Sequence, residues 1–309
     1  MIKFNLFFAI FFMLGACSDD NEKQTNPPEE TVNPPLATGL IYFQSALSIN
    51  DSYSNLKTAL EDNENIRIVQ ELNHSQNAAS VDMDLEPTQI IFFGNPNLGT
   101  PLMQENQLAG LDLPQKVLFY EEEEEVFAVY NSTEYLASRY GVGEVESLSQ
   151  ISGALSNLVG KAVEAEAELT EDQNVDLHEG IENVESNNDF ETTYDNLKLS
   201  IEANENISVV AELDHQQNAE NAGMELRPTR VIMFGNPNLG TPLMQSKRSI
   251  GVDLPQKMLV WEDEDGTVHI SYNDPTFLKD KHHLEGNEEQ IEQISRALEM
   301  LASSAGADD

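Results

Sequence analysis

The sequence predicts an α+β protein built from two tandem copies of one domain, and three observations carry that prediction. Sliding the 309-residue chain against itself by 141 residues places Gly39 on Gly180 and residues 90–104 (IIFFGNPNLGTPLMQ) on residues 231–245 (VIMFGNPNLGTPLMQ), identical at 13 of 15 positions. Similarity on that scale is duplication of a whole domain, not a short solenoid period. Each copy also carries apolar runs of strand length, at 66–72 and 88–93 in the first and at 207–213 and 229–234 in the second. Each closes on apolar residues at helical spacing: Leu148, Ile151, Leu155 and Leu158, then Ile291, Ile294, Leu298 and Leu301.

Taken in order, a copy opens with a strand at 40–45 or 181–186. A helix bearing Leu56, Ala59 and Leu60 follows the Asn50-Asp51 cap signal. The alternating run 66–72 is a second strand, and the continuous run 88–93 is a central one. Residues 117–120 and 126–130 form a hairpin across the five glutamates Glu121 to Glu125, replaced in the second copy by Asp263-Glu264-Asp265-Gly266. This order predicts a mixed sheet with helices on one face.

The N-terminus reads as a cleavable lipoprotein signal. Lys3 precedes the apolar residues 4–13, which are too short for a membrane span of about 20 residues but suit a signal core. The run ends at Leu14-Gly15-Ala16-Cys17, which resembles the bacterial lipobox, in which the cysteine is acylated. Cys17 is the sole cysteine, so no disulfide, thiolate metal site or cysteine nucleophile is expected. The stretch Ser18-Asp19-Asp20-Asn21-Glu22 resembles the acidic export signal of Bacteroidota surface lipoproteins, and points to the outer membrane, on its periplasmic or surface leaflet. The expected organisation is a signal at 1–17, a Pro-rich acidic tether at 18–38, repeat domains at 39–169 and 180–306, and a linker at 170–179.

Sixteen Lys and Arg against 55 Asp and Glu give a formal net charge of −39. Nucleic acid, whose binding needs cations against phosphates, is excluded as a partner. The expected partners are the membrane, through the lipid on Cys17, and a small anionic molecule.

The Asp-His pair ending the second strand, the FGNP-x-x-GTPL-M-Q block, the LDLP-x-K strand entry and the Tyr-Asn-Asp-Pro segment resemble the domain-of-unknown-function 302 family over nearly all of each repeat. The resemblance implies a two-layer α/β domain with a curved sheet, similar to the TATA-binding-protein-like fold. The first copy departs from the pattern: Asn73-His74 stands for Asp214-His215, Ser132-Thr133 for Asp274-Pro275, and Tyr140 for His282.

The residues offer few reactive constellations. The Gly94-Asn95-Pro96 and Gly235-Asn236-Pro237 turns follow buried strands, and Gly99-Thr100 and Gly240-Thr241 precede a proline, so each threonine reads as a helix cap with free amides able to hold an anion. The blander reading is a strand-to-helix corner. Asp214 would orient His215 as a general base, with His74 as its first-copy counterpart. Lys257 and Lys116 would supply cations at the two loops, or else pair with Asp253 and Asp112. Lys257, His215 and the Gly235 loop are expected to converge on one second-copy cleft. His282-His283 with His215 would be the metal alternative, although adjacent histidines rarely point the same way; no metal and no cofactor is the expectation. No Ser-His-Asp order, zinc motif or dinucleotide fingerprint occurs. The leading reading is a non-catalytic binding or structural lipoprotein whose repeats pack as a pseudo-dimer. A hydrolase or lyase using Asp214-His215, and a metal-handling protein, are the alternatives.

Overall fold

A computed structural model describes residues 35–307; the signal, Cys17 and nearly all of the tether lie outside the described residues. The first repeat runs β1 (Leu40–Gln44), α1 (Ile49–Glu61), β2 (Arg67–Asn73), α2 (His74–Ala79), β3 (Thr88–Gly94) and α3 (Pro96–Glu105). A 3-10 turn (Gln107–Leu111) then leads to β4 (Gln115–Glu122), β5 (Glu125–Asn131), α4 (Thr133–Tyr140), α5 (Glu146–Val163) and the short β6 (Glu168–Leu169). The second repeats the order as β7 (Ile181–Ser186), α6 (Phe190–Glu202), β8 (Ser208–Asp214), α7 (His215–Asn221), β9 (Thr229–Gly235) and α8 (Pro237–Ser246). Its 3-10 turn (Arg248–Asp253) leads to β10 (Gln256–Glu262), β11 (Val268–Asn273), α9 (Pro275–Lys281) and α10 (Glu288–Gly306).

Each repeat is α+β, as its periodicities predict. The sheets are ordered β2-β3-β4-β5-β1-β6 and β7-β11-β10-β9-β8. Every strand pair in them is antiparallel, so the expected mixed sheet is corrected to a purely antiparallel one. The Glu-rich run makes a two-residue hairpin turn, with Glu123 and Glu124 at φ 53° and 69°.

Two helix starts differ from the sequence reading. Ser48, not Asn50-Asp51, caps α1, its Oγ accepting from Asp51 N at 3.2 Å. Likewise α3 and α8 begin at Pro96 and Pro237, capped by Asn95 and Asn236, which leaves Pro101 and Pro242 inside the helices. Thr100 and Thr241 are therefore interior residues rather than caps.

Strand alternation gives each sheet two buried faces. Phe119 packs edge-on against Tyr53 of α1, with ring centroids 5.6 Å apart, on the helical face. Its neighbour Leu118 points the other way, and a Cβ built on Gly251 of the second repeat would lie 3.0 Å from its Cδ1. The reciprocal approach sets Gly110 against Leu259 Cδ1 at 2.8 Å. Each 3-10 turn thus lies on the sheet of the other repeat, and glycine lets the backbone come that close. The same reciprocity appears in two hydrogen bonds: Gln104 Nε2 donates to Glu225 O at 2.7 Å, and Gln245 Nε2 to Asp84 O at 2.6 Å. Among the described residues no helix is long and apolar enough to cross a membrane.

Candidate functional site

The FGNP block makes a tight corner rather than a cradle of free amides. Asn236 Oδ1 accepts from Asn238 N at 3.0 Å, and Leu239 N and Gly240 N both donate to Asn236 O at 3.0 Å. Pro237 has no N–H to offer. The first copy repeats this, with Asn97 N on Asn95 Oδ1 and Leu98 N and Gly99 N on Asn95 O, each at 3.0 Å. The amides that were expected to hold an anion are consumed by the corner itself. Glycine suits its start because a Cβ on Gly94 or Gly235 would stand close, 3.3 or 3.4 Å, to the Cβ of Pro114 or Pro255.

Each corner lines a cleft completed by the other repeat. One cleft, of about 510 Å³, joins Gly235, Asn236, Gly240 and Thr241 to His74 and Leu72 of the first repeat. The other, of about 470 Å³, joins Gly94, Asn95, Gly99 and Thr100 to His215 and Leu213 of the second. Antiparallel pairing explains the exchange. Ser208 lies beside Gly235, whereas Asp214 lies beside Arg230 at the far end of β9. Five residues of strand put His215 roughly 17 Å along the sheet from the Gly235 corner. The expected convergence of His215, Lys257 and the Gly235 loop does not occur.

The two histidines are 4% exposed, and Nε2 of each has no hydrogen-bond partner. Burial pushes both rings down to about 4, with the Gly251 backbone beside His74, and Asp214 and the Gly110 backbone beside His215, pulling weakly the other way. They are neutral at pH 7. Asp214 does not hydrogen-bond the His215 ring. Its carboxylate caps α7 through Gln217 N at 2.8 Å and takes Arg230 Nε at 2.7 Å. Asn73 caps α2 in the same way through Gln76 N at 2.9 Å, which is why an amide can replace the acid between copies.

The second polar constellation lies on the seam and is sealed from solvent. Lys116 Nζ and Arg139 NH1 reach Asp112 at 2.8 and 3.1 Å, and Tyr140 OH donates to it at 2.7 Å. Asp253 takes Lys281 Nζ and His282 Nε2, both at 2.8 Å. The two halves are stitched by Lys281 on Asn131 Oδ1 at 2.8 Å and Arg139 on Asn273 Oδ1 at 2.9 Å. Against the upward pull of burial, the neighbouring cations hold both carboxyls far below the usual range. Lys257 is the exception among the cations. No carboxylate lies within 4.0 Å of it among the described residues, and burial, with Lys116 beside it, pushes its amine down to about 7.

Comparison with known proteins fixes the family. The model of "Domain of unknown function DUF302" matches residues 41–159 and 182–301. The chain belongs to the DUF302 family. A 78-residue stretch is 49% identical to the fluoride-specific ion channel FluC 1 of Brucella suis biovar 1 (strain 1330), over 25% of this chain and 31% of that protein. FluC 1 of Brucella abortus biovar 1 (strain 9-941) matches at 49% identity over 78 residues, 25% of this chain and 29% of its own. The chain thus spans less than a third of these curated relatives. A crystal structure of an uncharacterized conserved DUF302 protein from Bacillus stearothermophilus shares 19% identity at a TM-score of 0.38, covering 41% of this chain and 98% of that one.

Within the DUF302 repeats, the remaining candidates fall as follows. Lys116 pairs with Asp112 as one sequence reading expects, whereas Asp253 is occupied by Lys281 and His282 rather than Lys257. Lys116 and Lys257 share the strand face of Leu118 and Leu259, and so point at the seam rather than at a corner. His282 is buried, with Nδ1 on Ser249 Oγ at 3.0 Å, while its neighbour His283 is exposed. Among the described residues no group of three or more His, Cys, Asp and Glu is placed to hold a metal ion. The seam network was missed as a unit, although the Asp-x-x-x-Lys spacing of LDLP-x-K and the paired Asn131 and Asn273 were its visible traces.

Proposed function

We propose that this chain is an exported, lipid-anchored, non-catalytic binding protein whose two DUF302 repeats pack as a pseudo-dimer and hold small molecules in the clefts at their seam. The cleft at the Gly235 corner carries the reading. In a chain with 71 charged residues, none of its lining side chains is Asp, Glu, Lys or Arg. Its walls include Leu72, Ile207, Leu239, Met244, Leu254 and Leu298. Two of its lining residues keep a polar atom that is sealed from solvent and without a partner, His74 Nε2 and Thr241 Oγ1. An unsatisfied buried polar group costs about 1–3 kcal/mol, so a ligand that reached them as the wall relaxed would supply what they lack. The fitting ligand is neutral, with an apolar body and a hydroxyl or amide, rather than the anion that the sequence suggested.

Thr241→Val tests this in two directions at once. Removing the orphaned hydroxyl should raise the stability of the free protein by about 1 kcal/mol in urea unfolding. It should also weaken binding of 1-hexanol several-fold by calorimetric titration. A variant that loses stability and binds hexanol as well as the wild type would remove the basis of the proposal.

The anchor rests on the lipobox alone. With Cys17→Ser, the chain should accumulate as an unprocessed precursor and leave the detergent phase of a Triton X-114 partition. Unchanged partitioning would count against lipidation.

A further inference from the structure

The two clefts are built from equivalent elements but are not chemically equivalent. Position 67 of β2 is arginine, and its counterpart in β8 is Ser208. Ser208 lines the Gly235 cleft and Arg67 lines the Gly94 cleft, where it is the one Lys or Arg among the lining residues of either cleft. Arg67 is exposed at its rim, and among the described residues no carboxylate lies within 4.0 Å of its guanidinium. The acid that lines the same cleft, Glu212, is already held by Lys198 at 2.7 Å and by Tyr194 OH at 2.9 Å. Two of the cleft's lining residues also keep a polar atom that is sealed from solvent and without a partner, Gln115 Nε2 and His215 Nε2. Below them the wall is apolar: Ile68, Leu98, Met103, Ile151, Leu155 and Leu158.

Resting on the binding reading above, we infer that the Gly94 cleft selects a monocarboxylate with an apolar tail, while the Gly235 cleft takes its uncharged counterpart. The carboxylate would meet the Arg67 guanidinium at the rim, and the tail would lie on the apolar wall. A guanidinium presents a planar fork that matches a carboxylate and has no such fit to an alcohol. The acidic surface repels anions in general, so entry depends on this one local cation.

Calorimetric titration of the full chain with hexanoate and, separately, 1-hexanol tests the assignment. The wild type should take one hexanoate per chain. Arg67→Ser should weaken hexanoate by about tenfold and leave hexanol unchanged. Ser208→Arg should create a second hexanoate site in the other cleft. Both positions are exposed on strands, so neither substitution threatens the fold. Hexanoate binding that Arg67→Ser leaves intact, or that Ser208→Arg fails to double, overturns the inference while hexanol binding preserves the cleft reading. Failure of both ligands to bind overturns the cleft reading itself, and the inference with it.

Discussion

Asp253→Ala should destabilise the protein by about 3–5 kcal/mol, the range found when one partner of a buried ion pair is removed. That is a large part of the 5–15 kcal/mol available to a typical folded protein. The size follows from what is left behind. Lys281 is 3% exposed and would keep only Asn131 as a partner, and His282 would lose the acceptor of its Nε2–H. Lys116, 4.0 Å from Asp253 Oδ1, would also lose part of its compensation. The damage falls on the contact between repeats, so the two should unfold less cooperatively than in the wild type. Urea titration followed both by the fluorescence of Trp261, the chain's single tryptophan, and by circular dichroism reads this, the two probes coinciding in the wild type and parting in the variant. The double variant Asp253→Ala, Lys281→Met should recover stability relative to Asp253→Ala, because it removes the orphaned charge as well. A single-variant loss below about 1 kcal/mol would show that the network is not what joins the repeats.

Acid should weaken the protein well before its carboxylates protonate. His74 and His215 each have rings lowered by burial to about 4. The unfolded chain, with ordinary histidines near 6.5, therefore takes up protons first as pH falls. Their contribution is intact above pH 6.5, declines from there to about pH 4, and is lost below. At about 1.4 kcal/mol per pH unit the decline is roughly 3 kcal/mol for each ring. Asp112 and Asp253 belong to a different window, because cations hold them down: their contribution is intact above about pH 4 and disappears only in stronger acid. Urea midpoints at pH 7, 6, 5 and 4, compared with those of a His74→Gln, His215→Gln variant, isolate the histidine part from the general effect of discharging an acidic surface. Parallel profiles for the two proteins would rule out neutral buried histidines as its cause.

Much of the fold is legible in the sequence because burial imposes a period. The central strands at Ile90 and Val231, the closing helices and the Glu123-Glu124 hairpin turn each lie where apolar spacing puts them. The helix start at the FGNP corner is not legible, because the same grammar occurs twice in seven residues. Asn-Pro and Thr-Pro both read as cap and first turn, and the end of β3 at Gly94 decides for the earlier one. The cleft partners were hidden for a different reason. His215 and the Gly235 corner follow one another closely in sequence, but antiparallel pairing sends them to opposite ends of β9. Only the other repeat brings a histidine back, His74 to the Gly235 corner, and a duplicated sequence does not say which copy completes which half. Lys257 was similarly ambiguous, since strand parity, not its nearness to Asp253, decides that it faces the seam.

The reciprocal packing also bears on how such a protein can change. In a symmetric homodimer every substitution appears twice, so a lysine on the twofold axis must face its own copy, and both clefts must drift together. Joining the halves in one chain frees each position to vary alone. Position by position, Arg139 stands where the second repeat has Lys281, Tyr140 where it has His282, and Arg67 where it has Ser208. At the centre, the facing amines of Lys116 and Lys257 have already parted company: two carboxylates draw the first up, while burial and its neighbour draw the second down. One chain thus carries two half-interfaces that are alike in backbone and free to differ in side chain, which a symmetric pair of identical chains could not do.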